Sequence, residues 1–187
     1  KIILRDTETS PKERIVLKSK VKQMSSSEII PLEPSLTFRG GIFLPFNSEG
    51  AKLKPTSIFY AGSDINFPWF HNVRVIAEAG YANNESDHDN VYLRSIPILL
   101  SASYDFGVSL LHIMPVVGFG GTLIDFNDGE GTTTREFAFT ADAGLQFNIE
   151  IIQRHLFLGL RGDYILIADQ KAQLHCAAAT ALLSYRF

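Results

Sequence analysis

The sequence predicts an all-β fold: a short N-terminal extension, then an eight-stranded antiparallel up-and-down barrel that crosses a membrane. Three observations predict it. Apolar and polar residues alternate with period two through most of residues 36–187, the repeat of a strand with two unlike faces and of no helix. The connections between these runs are long and short by turns. The ionised residues within the runs fall almost wholly on the less lipophilic parity.

The extension comes first. The chain has 187 residues, with 17 basic and 20 acidic side chains and a net charge of −3. Residues 1–35 contain no aromatic residue, and they hold 7 of the 17 basic ones (Lys1, Arg5, Lys12, Arg14, Lys18, Lys20, Lys22) against five acids. The boundary falls near Pro31 to Pro34, where IIPLEPS reads as an extended linker. Residues 2–4 and 15–21 have the composition of short strands, but thirty-five residues cannot bury a core of their own. A tail or hairpin that docks on something else is the simpler expectation; the end of a larger domain is the other. The chain begins at Lys1 without Met or a signal peptide, so a mature form or a fragment is expected. The single cysteine, Cys176, excludes an intramolecular disulfide and a Cys-rich zinc site. Mild acidity argues against a dedicated nucleic-acid binder.

Eight strands are expected, at 36–46, 57–67, 72–81, 91–104, 111–124, 136–147, 156–165 and 173–187. The first and second carry Arg39 and Asp64 on their polar parity. In the third, Val73, Val75, Ala77, Ala79 and Tyr81 alternate with Arg74, Ile76, Glu78 and Gly80. In the fourth, Ile96, Ile98, Leu100 and Ala102 share one parity. The fifth belongs to a charge-free stretch, Phe106–Ile124, long enough for a transmembrane helix; Pro115, Gly118, Gly120, Gly121 and several β-branched residues favour a strand. The sixth sets Phe137, Phe139, Ala141, Ala143, Leu145 and Phe147 against Glu136, Thr140, Asp142, Gly144 and Gln146. The seventh sets Leu156, Leu158, Leu160 and Tyr164 against Phe157, Gly159, Arg161 and Asp163. The eighth places Ala177, Ala179, Ala181, Leu183, Tyr185 and Phe187 on one face. Each run is about as long as a tilted strand needs to cross a hydrocarbon layer of roughly 25–30 Å. Long connections (NSEGAKLKPT, ANNESDHDN, DFNDGEGTTTR, LIADQKA) alternate with tighter ones (PWFHN, DFGVS, NIEIIQRH). The last of these, 148–155, is long enough for a neighbouring strand to extend into it.

The compartment follows from which parity faces out. With the lipophilic parity outward, Arg39, Asp64, Arg74, Glu78, Glu136, Asp142, Arg161, Asp163 and Arg186 point into the cylinder. A lysine or arginine facing lipid at mid-depth costs about 2–4 kcal/mol, whereas inside it meets opposite charge. Arg94 is the exception, sharing parity with Ile96 and Ile98; it sits near a strand end, where a long side chain snorkels or a bulge re-aims it. The soluble alternative is a lipocalin-like carrier with the faces inverted. Against it stand lipid-compatible faces on nearly every run and aromatics at both borders. Phe67, Trp69, Phe70, Tyr104, Phe106, Phe147 and Phe187 lie on the short-turn side, and Tyr81, Tyr92, Phe126, Phe137 and Tyr164 on the long-loop side.

The ending AAATALLSYRF, with Ala181, Leu183 and Tyr185 at alternate positions before Phe187, resembles the C-terminal signal of bacterial outer-membrane proteins. RSIPILLSASYDF, MPVVGFGGTL and LFLGLRGDYIL are similar to the fourth, fifth and seventh strands of the small porin-like OmpA/OmpX-type eight-stranded barrels. The resemblance covers residues 36–187. It implies a Gram-negative outer-membrane barrel in contact with outer-membrane lipid and lipopolysaccharide. It also implies that Leu183, Tyr185 and Phe187 form the signal read by the outer-membrane assembly machinery. Such barrels serve as anchors, adhesins, narrow pores and lipid enzymes, so architecture alone selects no function.

His71, His112, His155 and His175 have no Ser or acid at triad spacing, and no His-x-Ser pair like that of the lipid A deacylases occurs. ESDHDN (Glu85, Asp87, His88, Asp89) and DFNDGEG (Asp125, Asn127, Asp128, Glu130) carry cation-ligand types, but solvated polar loops and turn chemistry account for both, and the second lacks the EF-hand spacing. The long loops sum to a charge of −4, which disfavours polyanions. An eight-stranded barrel is just wide enough for its side chains to fill it, so the interior charges are expected to form a packed ion-pair network rather than line a pore. The inward glycines Gly118, Gly120, Gly144 and Gly159 are expected to make room for large neighbours such as Phe43 and Phe157, and Cys176 to be an inert filler. The sequence therefore points to a non-catalytic anchor or interaction module, without cofactor or metal. Both termini would be periplasmic because the strand count is even, and residues 1–35 would offer a surface to a periplasmic protein. A narrow pore, a lipid A-modifying enzyme and a soluble carrier are the alternatives.

Overall fold

The computed structural model describes residues 32–46, 53–67, 70–85, 91–128, 133–168 and 173–187. The expected extension lies outside them except for Leu32–Ser35, as do His88 and Trp69. The barrel unit is Leu32–Phe187. Its strands are β1 (Ser35–Pro45), β2 (Thr56–Phe67), β3 (Phe70–Glu85), β4 (Val91–Tyr104), β5 (Phe106–Val108), β6 (Leu111–Asp128), β7 (Thr133–Ile152), β8 (Leu156–Ala168) and β9 (Gln173–Arg186). β5 resumes the course of β4 after Asp105, and both pair with β6, so the cylinder has eight staves. Each stave is antiparallel to its neighbours, and β1 closes on β9 from Ser35↔Arg186 to Pro45↔Cys176. Closure leaves no strand edge to be satisfied in a medium without water.

Four strands run farther than the hydropathy pattern; β8 continues to Ala168, and the other three extend more. β3 continues to Glu85, β6 to Asp128, and β7 spans 20 residues. Only 86–90 and 129–132 then separate β3 from β4 and β6 from β7, so the second and third long connections shrink into strand extensions. The reason is that ladder hydrogen bonds continue in water where apolar alternation stops. Asp125 pairs with Arg135 across the extension, with Nε to Oδ1 at 2.6 Å, a cross-strand ion pair that favours the strand over a loop. At the other end β7 extends into 148–152, with a register shift between Glu150 and Ile152. Arg154 then turns the chain at φ 66°.

The lipophilic parity faces out. Phe119 is 59% exposed, Phe139 54% and Leu160 64%, and comparable residues continue around the wall. So large an exposed apolar surface is unstable in water. Arg94 is outward too, at the long-loop end. Its guanidinium lies 4.6 Å from the centre of the Tyr92 ring, and its cross-strand partners are Asn83 and Asp125.

The inner face is divided along the axis. Toward the long loops Phe43, Ile58, Ala82, Leu99, Ala138, Ile165, Ile167 and Cys176 are buried together, and Asn84, Ser95 and the hydrogen-bonded Thr122–Thr140 pair are buried at the same end. Toward the chain-termini end polar side chains predominate: Asn66, Arg74, Ser103, Gln146, Asn148 and Ser184 are buried there with Met114 and Phe157.

Candidate functional site

At mid-barrel the strands contribute one ring of polar groups. Arg39 on β1 donates to Glu78 on β3 (2.7 and 2.9 Å) and to Asp163 on β8 (2.8 Å). Arg161 on β8 donates to Asp163 (2.6 Å) and to Asp142 on β7 (2.7 Å), and its Nη1 lies 3.5 Å from Glu78. All five side chains are at least 96% buried. Tyr60 on β2 lies under the Arg39 guanidinium, 3.6 Å from ring centre to Cζ. Thr180 on β9 accepts from Arg39 at 3.4 Å.

The sequence of the neighbouring strands makes room for the carboxylates. Glu78 stands opposite Gly62, Asp142 opposite Gly118 and Asp163 opposite Gly144. A side chain at Gly118 would collide with the Asp142 carboxylate, and one at Gly144 with that of Asp163. Gly159 does the same for Asn148, and Gly120 meets the Ile98 backbone. The inward glycines therefore serve polar side chains and backbone, not Phe43 and Phe157 as the sequence suggested, because the facing residue is set by register and not by size.

A second cluster lies toward the chain-termini end. Asp64 bonds Arg74 and Ser35, while Arg74 donates to the Glu33 carbonyl at 3.2 Å. Arg186 lies 3.6 Å from Glu33 and 4.6 Å from the centre of the Phe157 ring. Asp64 and Arg186 thus stand apart from the mid-barrel ring, and Glu136 lies outside both clusters, half-buried near the long-loop end. Between ring and cluster is a cavity of about 30 Å³, room for about one water.

A third cluster was missed by the sequence reading. His112 Nδ1 lies 2.9 Å from both Asp105 oxygens, and its Nε2 lies 4.0 Å from Glu150. The acids come from the β4–β5 junction and from β7, so only the register brings them together. No nucleophile completes a triad among the described contacts. His155 bonds the Arg186 carbonyl at 3.0 Å, and outward-facing His175 bonds the Tyr164 hydroxyl. His71 opens β3. Among the described residues no three His, Cys, Asp or Glu side chains are placed to hold a metal ion. Leu183, Tyr185 and Phe187 all face outward and are exposed, with the Tyr185 and Phe187 rings in edge contact at 5.1 Å.

No family model matches the sequence, and no curated protein does. Solved structures do. Neisserial surface protein A is similar with a TM-score of 0.67 at 11% identity, over 83% of this chain and 97% of that one. Ail, the attachment invasion locus protein of Yersinia pestis, gives 0.59 at 10% identity, over 83% and 98%. The N-terminal barrel domain of Pseudomonas aeruginosa OprF gives 0.50 at 16% identity, over 82% and 97%. The likeness is one of fold: this chain has the architecture of the small eight-stranded outer-membrane β-barrels.

Proposed function

We propose that the chain is an integral protein of the bacterial outer membrane that acts as a non-catalytic anchor or interaction module, with both termini in the periplasm. The observation that carries this reading is the filled lumen. Among the described residues a charged ring and a mainly apolar cluster fill the cylinder in series, which favours work at the two ends over transport. Residues 1–35, rich in lysine and arginine, supply the periplasmic partner surface. Leu183, Tyr185 and Phe187 supply the contact with the assembly machinery. The test is deletion of residues 1–31 followed by crosslinking in intact cells: the barrel still inserts, and its periplasmic crosslinks disappear. Unchanged crosslinks reject the tail as the partner surface.

Ail has been crystallised with the heparin analogue sucrose octasulfate. The loop charge of −4 in this chain opposes such a ligand. No affinity for sucrose octasulfate at physiological salt is the expected result, and tight binding would replace the periplasmic reading with an adhesive one.

A further inference from the structure

The outer wall is not uniformly bulky. Where β9, β1, β2 and β3 lie side by side, Gly40, Ala61, Ala79 and Ala181 floor a groove of about 750 Å³, with Phe59 and Tyr81 at its long-loop end. The same two rings wall a second pocket, of about 360 Å³, at the long-loop rim. There the lining turns polar, with Lys54, Thr56, Ser57, Asn83 and Glu85. An apolar trough thus leads past one pair of rings into a polar recess. The chain holds that recess in shape. Lys54 N–H donates to the Glu85 carbonyl at 3.0 Å, Asn84 Nδ2 to the Lys54 carbonyl at 3.0 Å, and Thr56 Oγ1 to the Asn83 carbonyl at 2.6 Å. Asn83 Oδ1 is buried there with no hydrogen-bond partner among the described residues, an expensive state for an acceptor. Arg94 stands directly across the ladder from Asn83.

We propose that this wall binds one lipid A, the acylated amino-sugar phosphate that anchors lipopolysaccharide, with an acyl chain in the groove and a glucosamine in the rim recess. The proposal rests on the membrane reading argued above: periplasmic termini put the long-loop end in the outer leaflet, where lipopolysaccharide is the lipid. A trough that opens into a polar recess fits an amphiphile lying along the barrel axis. The orphaned acceptor at Asn83 calls for a donor. The amide N–H and hydroxyl groups of an acylated glucosamine supply one, whereas the ester-linked diacylglycerol of a phospholipid has none. Glu85 is placed to accept from a second hydroxyl. The phosphate lies toward Lys54 and Arg94, where a guanidinium and an ammonium complement its charge.

The test is native mass spectrometry of the full chain released from micelles. The micelles carry equal amounts of lipid A, phosphatidic acid and phosphatidylcholine; phosphatidic acid supplies the phosphate without the amino sugar. One lipid A is expected to be retained about tenfold over phosphatidic acid, the discrimination of one hydrogen bond to a buried acceptor. Asn83→Leu removes the acceptor and brings the two level. Ala79→Phe fills the groove and abolishes retention of lipid A; Ala61→Leu lowers it by a smaller increment if Ala79→Phe does not fold. Ala141→Phe, on the outward parity of β7 across the barrel, leaves it unchanged. Equal retention of lipid A and phosphatidic acid by the unaltered chain, a preference that survives Asn83→Leu, or an equal loss with Ala141→Phe and Ala79→Phe overturns the site. Insertion into liposomes is scored separately: a chain that inserts without selectivity loses only the lipid site, and one that does not insert loses the membrane reading as well.

Discussion

Arg39 grips Glu78 through two parallel hydrogen bonds, Nε to Oε2 at 2.9 Å and Nη2 to Oε1 at 2.7 Å. The two residues sit on β1 and β3 and meet across the width of β2, so the pair braces the cylinder from within. Its fork geometry is the one that suits guanidinium and carboxylate. Both side chains are almost wholly removed from water. Such a pair adds little over a well-packed apolar replacement, but breaking it strands a buried charge.

Glu78→Ala is therefore expected to destabilise the barrel by about 3–5 kcal/mol, read as a lower urea midpoint in detergent micelles. The double change Arg39→Met with Glu78→Leu is expected to cost less than the sum of the two single losses, since neither member is left facing the other's absence and Asp163 keeps its bond to Arg161. An additive double variant would show that the pair is not a unit.

The glycine–carboxylate pairing makes a second prediction. Gly144→Ala puts a methyl group against the Asp163 carboxylate and the Gly162 carbonyl, and overpacking of this kind costs about 1–3 kcal/mol. Gly162→Ala is the control: its added methyl group meets nothing within 4 Å, and the change stays within about 0.5 kcal/mol. Equal effects at the two positions would mean that strand propensity, not space for the ring, governs both.

These pairings mark the limit of what the sequence shows. Parity alone is legible, because a residue such as Phe139 or Asp142 declares its face by its chemistry and its neighbours at i±2. The ends of β3, β6 and β7 were not legible, because Asn83, Asn127 and Thr133 hydrogen-bond as strand residues while carrying the composition of turns. The meeting of Asp105, His112 and Glu150, and of Asp142 with Gly118, depends on inter-strand register. A one-residue slip changes every such meeting, and spacing within one strand does not encode it. The apolar plug was missed for a related reason. Phe43, Ile58 and Leu99 break the polar parity singly, each looking like noise, and only closure of the barrel sets them at one level.

That plug decides how the lumen behaves when the ring is damaged. Asp142→Ala frees one partner of Arg161 but leaves Phe43, Leu99, Ile165 and Ile167 in place above it. Planar bilayers containing the unaltered chain are expected to be electrically silent, and Asp142→Ala or Arg161→Ala to stay silent. Only a combined change that also removes the plug, such as Phe43→Ala with Arg161→Ala, is expected to conduct. Conductance by the unaltered chain would restore the pore.

The orientation of the wall is tested at the level of the ring itself. Phe119 pairs with Leu100 and Ala141, one residue along from Gly118 opposite Asp142, and so lies near mid-depth. Phe119→Arg is expected to cost about 2–4 kcal/mol in a lipid bilayer. Arg94, near a strand end and beside Tyr92, tolerates exchange for leucine with little change, because its charge already reaches the interface. A lipid-soluble quencher should reach probes attached at Phe139, Leu158 and Leu183, while probes at Asp142 and Arg161 stay dark to it. If the pattern is reversed, with Asp142 quenched and Leu158 protected, the barrel is inside out. A membrane-spanning barrel is then excluded, since a wall of ionised groups cannot face hydrocarbon.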